Sequence, residues 1–399
     1  MISIPSEKSS FHAPVRGNRR LAILLLSILT FVVLSLLTFS QTSIGFSSCS
    51  HATTTATNEQ LLLRQQQQQQ QQQPYARPFN ESRMNSMEDN DLASTMTMTT
   101  RPTHHGRPTF VNLNDLQATA QGKKKQEQVL ILTPLKNAAP YLPRYFELID
   151  RLTYPKHLIS IAFLVSDTTD NTIDLLRAQA DEFLNRRSPK KRYHRITIYE
   201  KDFHFDLPEE ERHKFELQPL RRSYMARSRN YLLTTALKDE HAWVLWLDVD
   251  VVEYPKTILE DLQSIDGDVV VPNCLLQTED HSFWGYDKNN WQETEESLAI
   301  QQELDPEHVL LEGYYEFLTG RKLMVDMPTH LGALNKVPLD GVGATFTLVK
   351  AHVHREGANF PPYTFQHQVE TEGFAKMAKA MGFDVYGLPG YLIYHIKNS

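Results

Sequence analysis

From residue 128 onward, short and continuously apolar runs alternate with segments of helical pattern, and this alternation restricts the fold more than any other feature. Strands are predicted at 128–133, 158–165, 195–199 and 243–247, and helices at 142–152, 172–184 and 224–237. Strands that are apolar along their whole length are typical of parallel sheets covered by helices on both faces. The sequence therefore predicts an α/β, Rossmann-like fold, in which ligands bind at the carboxyl ends of the strands.

The beginning of the chain carries a candidate membrane anchor. Residues 21–39 are apolar and uncharged, and a helix of this length would span about 28 Å, close to the hydrocarbon thickness of a bilayer. Arg16, Arg19 and Arg20 precede the run. The positive-inside rule then predicts a cytosolic tail at 1–20 and a lumenal location for the rest of the chain. A cleaved signal peptide is the alternative, but its apolar core would be only about 7–15 residues long.

Residues 40–125 are rich in Ser, Thr, Gln and His and contain little that could fill a core. This composition predicts a disordered stalk, followed by one folded domain at 126–399. A glycosylation sequon at Asn80 agrees with a lumenal stalk. Of the two cysteines, Cys49 lies in the stalk and Cys274 in the domain, so the domain has no internal disulfide.

The charge balance argues against one class of partner. The chain has 41 Lys and Arg against 48 Asp and Glu, a formal net charge of −7. No long basic block follows the N-terminal region. We therefore expect no nucleic-acid partner, because binding to a phosphate backbone depends on clustered basic residues.

Two aspartates follow directly on the fourth predicted strand. Asp248 and Asp250 are separated by Val249, so in an extended chain both carboxylates point to the same side. Such a pair favours a divalent cation, Mn²⁺ or Mg²⁺, which takes oxygen ligands and leaves positions free for phosphate. The alternatives are a capping role in the next turn, a position in solvent, or the nucleophile motif of haloacid-dehalogenase-type phosphatases. That motif normally lies on the first strand of its domain, about 120 residues earlier than here.

A group of arginines precedes this strand. Arg221 and Arg222 stand just before the expected start of a helix near Ser223, and Arg227 and Arg229 lie in its predicted first turns. Arginines there are explained if they bind a phosphate or pair with acids such as the first aspartate; a solvated basic face is the alternative. Asp167, at the end of the second strand, is a candidate contact for a base or ribose, or a turn residue.

At this point the sequence resembles the fungal mannan-polymerase mannosyltransferases, which are Golgi type II membrane proteins. The similarity covers about residues 128–396. It is carried by the segments ILTPLKNAAPYLPRYF, RRSYMARSRNYLL, WLDVDVVEYPKTIL, GDVVVPNCL, YDKNNWQE, VPLDGVGATFTLVKAHVHREGANFPP and HQVETEGFAKMAKAMGFDVYGLPGYLIYH. The order of several long segments makes this resemblance more specific than any single motif.

The resemblance implies a GT-A fold, GDP-mannose as donor, manganese or another divalent metal, and retention of the α configuration. Members build the α-1,6-linked mannan backbone of N-glycans in hetero-oligomers of related chains. A non-catalytic GT-A-like scaffold subunit of such a complex is the alternative. By the same resemblance, Asp248 and Asp250 match the metal-binding pair, and His395 matches a C-terminal histidine that completes the metal site.

The resemblance also supplies the donor-side candidates and the two glutamates, whereas the other candidates below follow from residue type. The donor-nucleotide edge matches Pro134 to Asn137 and Asp167, and the basic helix near the diphosphate matches Arg222 and Arg229. Candidate catalytic acids at the acceptor side are Glu370, Glu372 and Asp340, and candidate acceptor-binding residues are Asn273, Trp291 and Tyr314. His352 and His354 suggest zinc, but alternation along a strand explains their spacing more simply.

Overall fold

We analysed a computed structural model of the chain, which describes residues 110–115, 117–280 and 282–397. The helices are α1 (Gly122–Lys125), α2 (Leu142–Arg151), α3 (Thr172–Leu184), α4 (Gln218–Ala236), α5 (Ile258–Ser264), α6 (Glu295–Gln302), α7 (Ala351–Arg355) and α8 (Glu370–Ala380). Short 3-10 helices lie at Leu113–Asp115, Lys156–Leu158, Pro189–Lys191, Glu209–Glu211, Phe215–Leu217 and Met324–Asp326.

The strands are β1 (Gln128–Leu135), β2 (Ile159–Val165), β3 (Arg195–Glu200), β4 (His241–Leu247), β5 (Val251–Glu253), β6 (Val269–Leu276), β7 (Trp291–Gln292), β8 (Lys322–Leu323), β9 (Val337–Pro338), β10 (Phe346–Lys350) and β11 (Val385–His395). The main sheet has the order β3-β2-β1-β4-β10-β6-β11-β5, with β9 also paired to β11, while β7 and β8 form a separate pair.

Most of the main sheet is parallel. β3, β2, β1 and β4 run in one direction, and β6 and β11 are parallel to each other. β10 lies antiparallel between β4 and β6, so the carboxyl ends of β1, β2, β4, β6 and β11 meet at one edge. This mixed α/β arrangement agrees with the predicted fold class and brings strand ends from distant parts of the chain together.

The core lies on both faces of the sheet. Trp243 and Trp246 are three residues apart in β4, so their rings point to opposite faces, and neither has exposed surface. The Trp243 indole N–H donates to the Glu127 carboxylate, with 2.8 Å between the heavy atoms. That of Trp246 donates to His354 Nε2 at 3.1 Å. β4 is therefore fixed from both sides directly before the acidic pair.

The predicted helix near residue 224 differs from the structure. α4 begins six residues earlier, at Gln218, with Pro219 in its first turn, where the missing N–H of proline costs nothing. The expected placement of arginines before or at the helix start is therefore wrong. Arg222 lies in the second turn and Arg229 in the fourth, two turns apart on one face.

Some residues before the predicted domain boundary at residue 126 also contact the domain. Thr119 donates from both its N–H and its hydroxyl to the Glu127 carboxylate, and Lys123 is 2.8 Å from Glu260. Residues 117–125, assigned to the stalk, are thus packed on the domain. Within the described residues, none of the helices combines the length and hydropathy needed to span a bilayer. The predicted anchor at 21–39, Asn80 and Cys49 lie outside the described residues.

Candidate active site

The acidic pair lies at the carboxyl edge of the sheet, held by both neighbouring strands. The Asp248 N–H donates to Thr345 O at 3.0 Å, and the Thr133 hydroxyl donates to Leu247 O at 2.8 Å. The Asp250 carbonyl accepts from the N–H of Ile396 at 3.0 Å. Both aspartate side chains keep some exposure, 31% and 27%. The pair is therefore rigid at its backbone and still open to a ligand.

His395, the last residue of β11, faces this pair, at the position that the family resemblance implied. Its Nε2 is 3.0 Å from Asp250 Oδ1, its Nδ1 is 2.6 Å from Ile396 O, and its ring stacks on Tyr286 at 3.8 Å between centroids. Burial alone would lower the pKa of His395, but Asp250 and the Ile396 carbonyl outweigh it and raise this pKa. The imidazole is thus fixed with one nitrogen toward the acids.

Arg229 provides the basic side of the site. Its Nη2 is 3.5 Å from Asp248 Oδ1, and its Nε donates to Glu370 Oε1 at 3.0 Å. The guanidinium lies 5.7 Å from the Trp246 ring centroid and 5.8 Å from that of Phe360. For Arg229, pairing with acids, one of the explanations offered for the arginines, is what the structure shows.

These residues fit a divalent cation. Burial raises the pKa of Asp248 to about 6, since Arg229 and His395 offset this rise only in part and the Asp250 charge adds to it. A positive charge bound between the two carboxylates would remove the cost of ionising Asp248 beside Asp250. In the described residues, no three His, Cys, Asp or Glu side chains are arranged to hold an ion by themselves. Asp248 and Asp250, with the His395 imidazole beside them, would thus hold an ion only together with further ligands such as phosphate and water.

A second set of ion pairs, called here the buried ionic layer, includes Arg222 and Glu372. Arg222 pairs with Glu372, and both side chains are at least nine-tenths buried. Glu372 Oε1 also accepts from the Trp291 indole N–H at 2.8 Å. Burial raises the pKa of Glu372, although Arg222 and Arg321 counteract the rise. Glu370 and Glu372, the two predicted catalytic glutamates, are thus both engaged by arginines of one helix face.

The residues of the predicted donor edge lie at the ends of two neighbouring parallel strands. Pro134 lies within β1 and pairs with Leu164, while Asn137 and Asp167 follow β1 and β2. Both have positive φ, 49° and 47°, which is uncommon outside glycine and frequent at binding sites. Their side chains bind loop backbone: Asn137 Oδ1 accepts from Thr169 N at 2.7 Å. The Asp167 carboxylate accepts from the N–H groups of Phe203 and His204.

The predicted acceptor residues are placed differently from one another. Asn273 and Trp291 have no exposed surface, so neither can present a face to a sugar in this structure, contrary to the sequence hypothesis. Tyr314 is partly exposed beside Phe215, 5.6 Å between ring centroids. Asp340 accepts from the Glu293 N–H at 2.8 Å and is ion-paired with Lys379. Of the three predicted acceptor-binding residues, Tyr314 alone is partly exposed.

The histidine pair is not on a strand. His352 and His354 lie in α7, because β10 ends at Lys350, so the explanation by strand alternation is wrong. His354 Nδ1 is 2.8 Å from Ala358 O, and its Nε2 accepts from Trp246. Burial lowers its pKa to about 4. His354 is therefore a neutral core residue with both nitrogens satisfied.

Several members of the buried ionic layer were missed in the sequence. Arg321 lies 3.6 Å from the Trp291 ring centroid and pairs with Glu312 at 2.9 Å. Glu293 binds Lys376 at 2.6 Å. No local motif marks these charges, because a buried charge and a solvated one look alike in sequence. The acidic and amide residues of the segment YDKNNWQE were the one available signal.

Taken together, the mostly parallel sheet and the acids at its carboxyl edge define a mixed α/β protein with a candidate site for a cation and a phosphate. The Anp1 family model matches residues 108–364. The chain belongs to the Anp1 family, as the sequence resemblance implied.

Relatives with established names support this assignment. The mannan polymerase II complex anp1 subunit of Schizosaccharomyces pombe is 44% identical over 276 residues, 68% of this chain and 64% of that protein. The corresponding ANP1 subunit of Saccharomyces cerevisiae is 39% identical, covering 72% and 58%. The mannan polymerase complex subunit MNN9 of Candida albicans is 40% identical, covering 71% and 78%. The match thus spans less than two thirds of the first two relatives' length.

Among solved structures, the mannosyltransferase PcManGT from Pyrobaculum calidifontis, in complex with GDP-Man and Mn²⁺, is similar over 70% of this chain and 59% of that chain. The TM-score is 0.41 and the sequence identity 13%. This likeness is too distant to bear on the substrate or the metal of the present chain.

Proposed function

We propose that this chain is a retaining α-mannosyltransferase that transfers mannose from GDP-mannose with the help of Mn²⁺ or another divalent cation. The observation that carries the proposal is the meeting of Asp248, Asp250 and His395 at one sheet edge, with the Arg229 guanidinium beside them. Membership of the Anp1 family supports it, because the named relatives are mannan polymerase subunits.

Each residue has a defined part in the proposed reaction. Asp248 and Asp250 would hold the cation, and His395 would complete its protein ligands. When bound, the cation supplies charge that neutralises the departing diphosphate. Arg229 adds a fixed positive charge at the same place without reorganising, which is the most effective form of electrostatic stabilisation. The nucleotide would lie along the ends of β1 and β2, near Asn137.

The surroundings of the candidate acids favour same-face attack over a double displacement. A covalent nucleophile must be free to reach the anomeric carbon. Glu370 and Glu372 are each buried and paired with an arginine, and Asp340 is paired with Lys379. None of these three carboxylates is free, so retention through an oxocarbenium-like state on one face fits the site better.

The acceptor, partners and location belong to the same proposal. We infer that the acceptor is the α-1,6-linked mannan backbone of an N-glycan, and that related mannosyltransferase chains assemble with this one. Tyr314 is the candidate acceptor contact. The segment 21–39 would anchor the protein as a single-pass type II protein of the Golgi membrane, with the domain in the lumen.

The test is mannose transfer by the purified full-length chain in detergent, with GDP-mannose and an α-1,6-mannobiose acceptor. We expect transfer that stops on chelation and returns with Mn²⁺. Asp248→Ala and Asp250→Ala should each lower it by about 100-fold or more while leaving the circular dichroism spectrum unchanged. Full activity in chelator would overturn the mechanism. Partner binding without any GDP release would favour the scaffold alternative, and phosphate release from simple phosphomonoesters the phosphatase alternative.

A further inference from the structure

One of the three nitrogen atoms of the buried Arg229 guanidinium has no hydrogen-bond partner in the described part of the chain. Its side chain is 4% exposed, its Nε binds Glu370, and its Nη2 lies near Asp248. In the described part of the chain its Nη1 has no hydrogen-bond partner, although the atom is buried. A buried guanidinium with an unused donor keeps its orientation only if its other contacts determine it.

Of the two acids that contact Arg229, Glu370 is the closer. It is the first residue of α8, its φ is +55°, and its N–H donates to Pro361 O at 2.9 Å. A left-handed backbone is unfavourable for glutamate and persists only where the surroundings impose it. Here it coincides with a carboxylate that is 4% exposed and 3.0 Å from Arg229 Nε. The left-handed backbone conformation at Glu370 thus places its carboxylate next to the Arg229 guanidinium.

Arg229 is closer to one of its two carboxylate partners than to the other. It is 3.0 Å from Glu370 and 3.5 Å from Asp248, so the acid outside the cation site is the closer partner. Without Glu370, the attraction between Arg229 and Asp248 would be unopposed at short range in a poorly solvated site. Arg229 would then compete with a metal ion for the Asp248 carboxylate.

We infer that Glu370 is a positioning residue: it holds Arg229 back from Asp248, so that the acidic pair can bind a divalent cation. This inference rests on the proposed metal-dependent function and assigns Glu370 no contact with the sugar. The net charge around the proposed cation site leads to the same expectation. Asp248, Asp250, Glu370 and Arg229 together carry −2, and removing the Glu370 charge alone leaves −1 beside the cation.

The direct test is the affinity of the purified full-length chain for Mn²⁺ alone, measured by electron paramagnetic resonance without nucleotide. We expect Glu370→Gln to weaken Mn²⁺ binding about tenfold, because one competing pair is strengthened and one negative charge is lost. Glu312→Gln is the matched control. Glu312 is also buried and paired with an arginine, but Arg321 does not contact Asp248, so wild-type affinity is expected.

Two further variants separate positioning from charge. Glu370→Asp keeps the charge but shortens the reach to Arg229, and we expect Mn²⁺ binding to weaken about threefold or more. The double variant Arg229→Met/Glu370→Gln restores the net charge of −2 and removes the competing cation. Its Mn²⁺ affinity should return to within about twofold of wild type.

The inference is overturned by wild-type affinity in either Glu370→Gln or Glu370→Asp. It is also overturned if the double variant binds as weakly as Glu370→Gln, which would show that Glu370 acts without Arg229. Asp250→Asn distinguishes this failure from failure of the proposed function. If Asp250→Asn keeps full Mn²⁺ affinity, the acidic pair is not the metal site and both proposals fall together.

Discussion

Single residues in this protein take their chemistry from burial and from one or two neighbours. Partial burial raises the pKa of Asp248 to about 6, and full burial lowers that of His354 to about 4. In both cases the charged form is disfavoured. The two residues differ in their partners. His354 is hydrogen-bonded to two uncharged groups, whereas Asp248 lies beside the charged side chain of Arg229.

The depressed pKa of His354 predicts a pH dependence of stability. The unfolded chain takes up a proton near pH 6.5, while the folded chain resists it until about pH 4. Stability is therefore present above pH 6.5 and is lost as pH falls toward 4, by up to about 1.4 kcal/mol per pH unit. The free energy of unfolding, measured in urea, should show a shallower slope in this window for His354→Met than for wild type.

The control for this slope is His330→Gln, at an exposed histidine. We expect it to retain the wild-type slope, since the substitution does not touch a buried imidazole. The absolute stability of His354→Met will be lower because two hydrogen bonds are lost. The slope is therefore the decisive quantity, and an equal slope in wild type and His354→Met would contradict this assignment.

At the scale of elements, strands and helices with a clear apolar period were predicted well, and polar elements were not. α3 was predicted at its observed bounds, and β1, β2, β3 and β4 within two residues at each end. The first turns of α4 were missed because residues 218–223 carry little apolar pattern, and α7 was taken for a strand. A five-residue helix is stabilised by its packing, which no local pattern shows.

The turn before β10 offers a test at this scale. Gly341 N and Asp340 N both donate to Trp291 O, and a Cβ at Gly341 would overlap the Trp291 indole. Gly341→Ala should therefore lower the free energy of unfolding by about 1–3 kcal/mol, as measured in urea. The change should also disturb the hydrogen bond from Trp291 to Glu372.

A double variant checks the cause of that loss. Leucine at position 291 ends at its δ carbons and lacks the Nε1, Cε2 and Cζ2 atoms that the new Cβ would meet. Adding Gly341→Ala to Trp291→Leu should thus cost much less than Gly341→Ala alone in the wild-type background. Equal costs in the two backgrounds would show that the strain lies in the backbone and not against the Trp291 ring.

At the scale of the whole molecule, the sheet brings residues together that are far apart in sequence. Thr133, Asp248, Thr345 and His395 come from four segments of the chain, and β10 lies between β4 and β6 to join them. The sequence predicted the acidic pair from local pattern, and the resemblance supplied the histidine. Neither the sequence pattern nor the resemblance predicted the buried arginine–glutamate pairs, because long-range pairing of charges has no local periodicity.

The central claim is that this sheet edge binds a cation and a sugar diphosphate together. Crystals of the protein soaked with Mn²⁺ and GDP would test it through the anomalous scattering of manganese. We expect one strong anomalous peak within about 2.5 Å of carboxylate oxygens of Asp248 and Asp250, with the diphosphate on its open side. A bound nucleotide with the manganese peak elsewhere in the molecule would contradict the account.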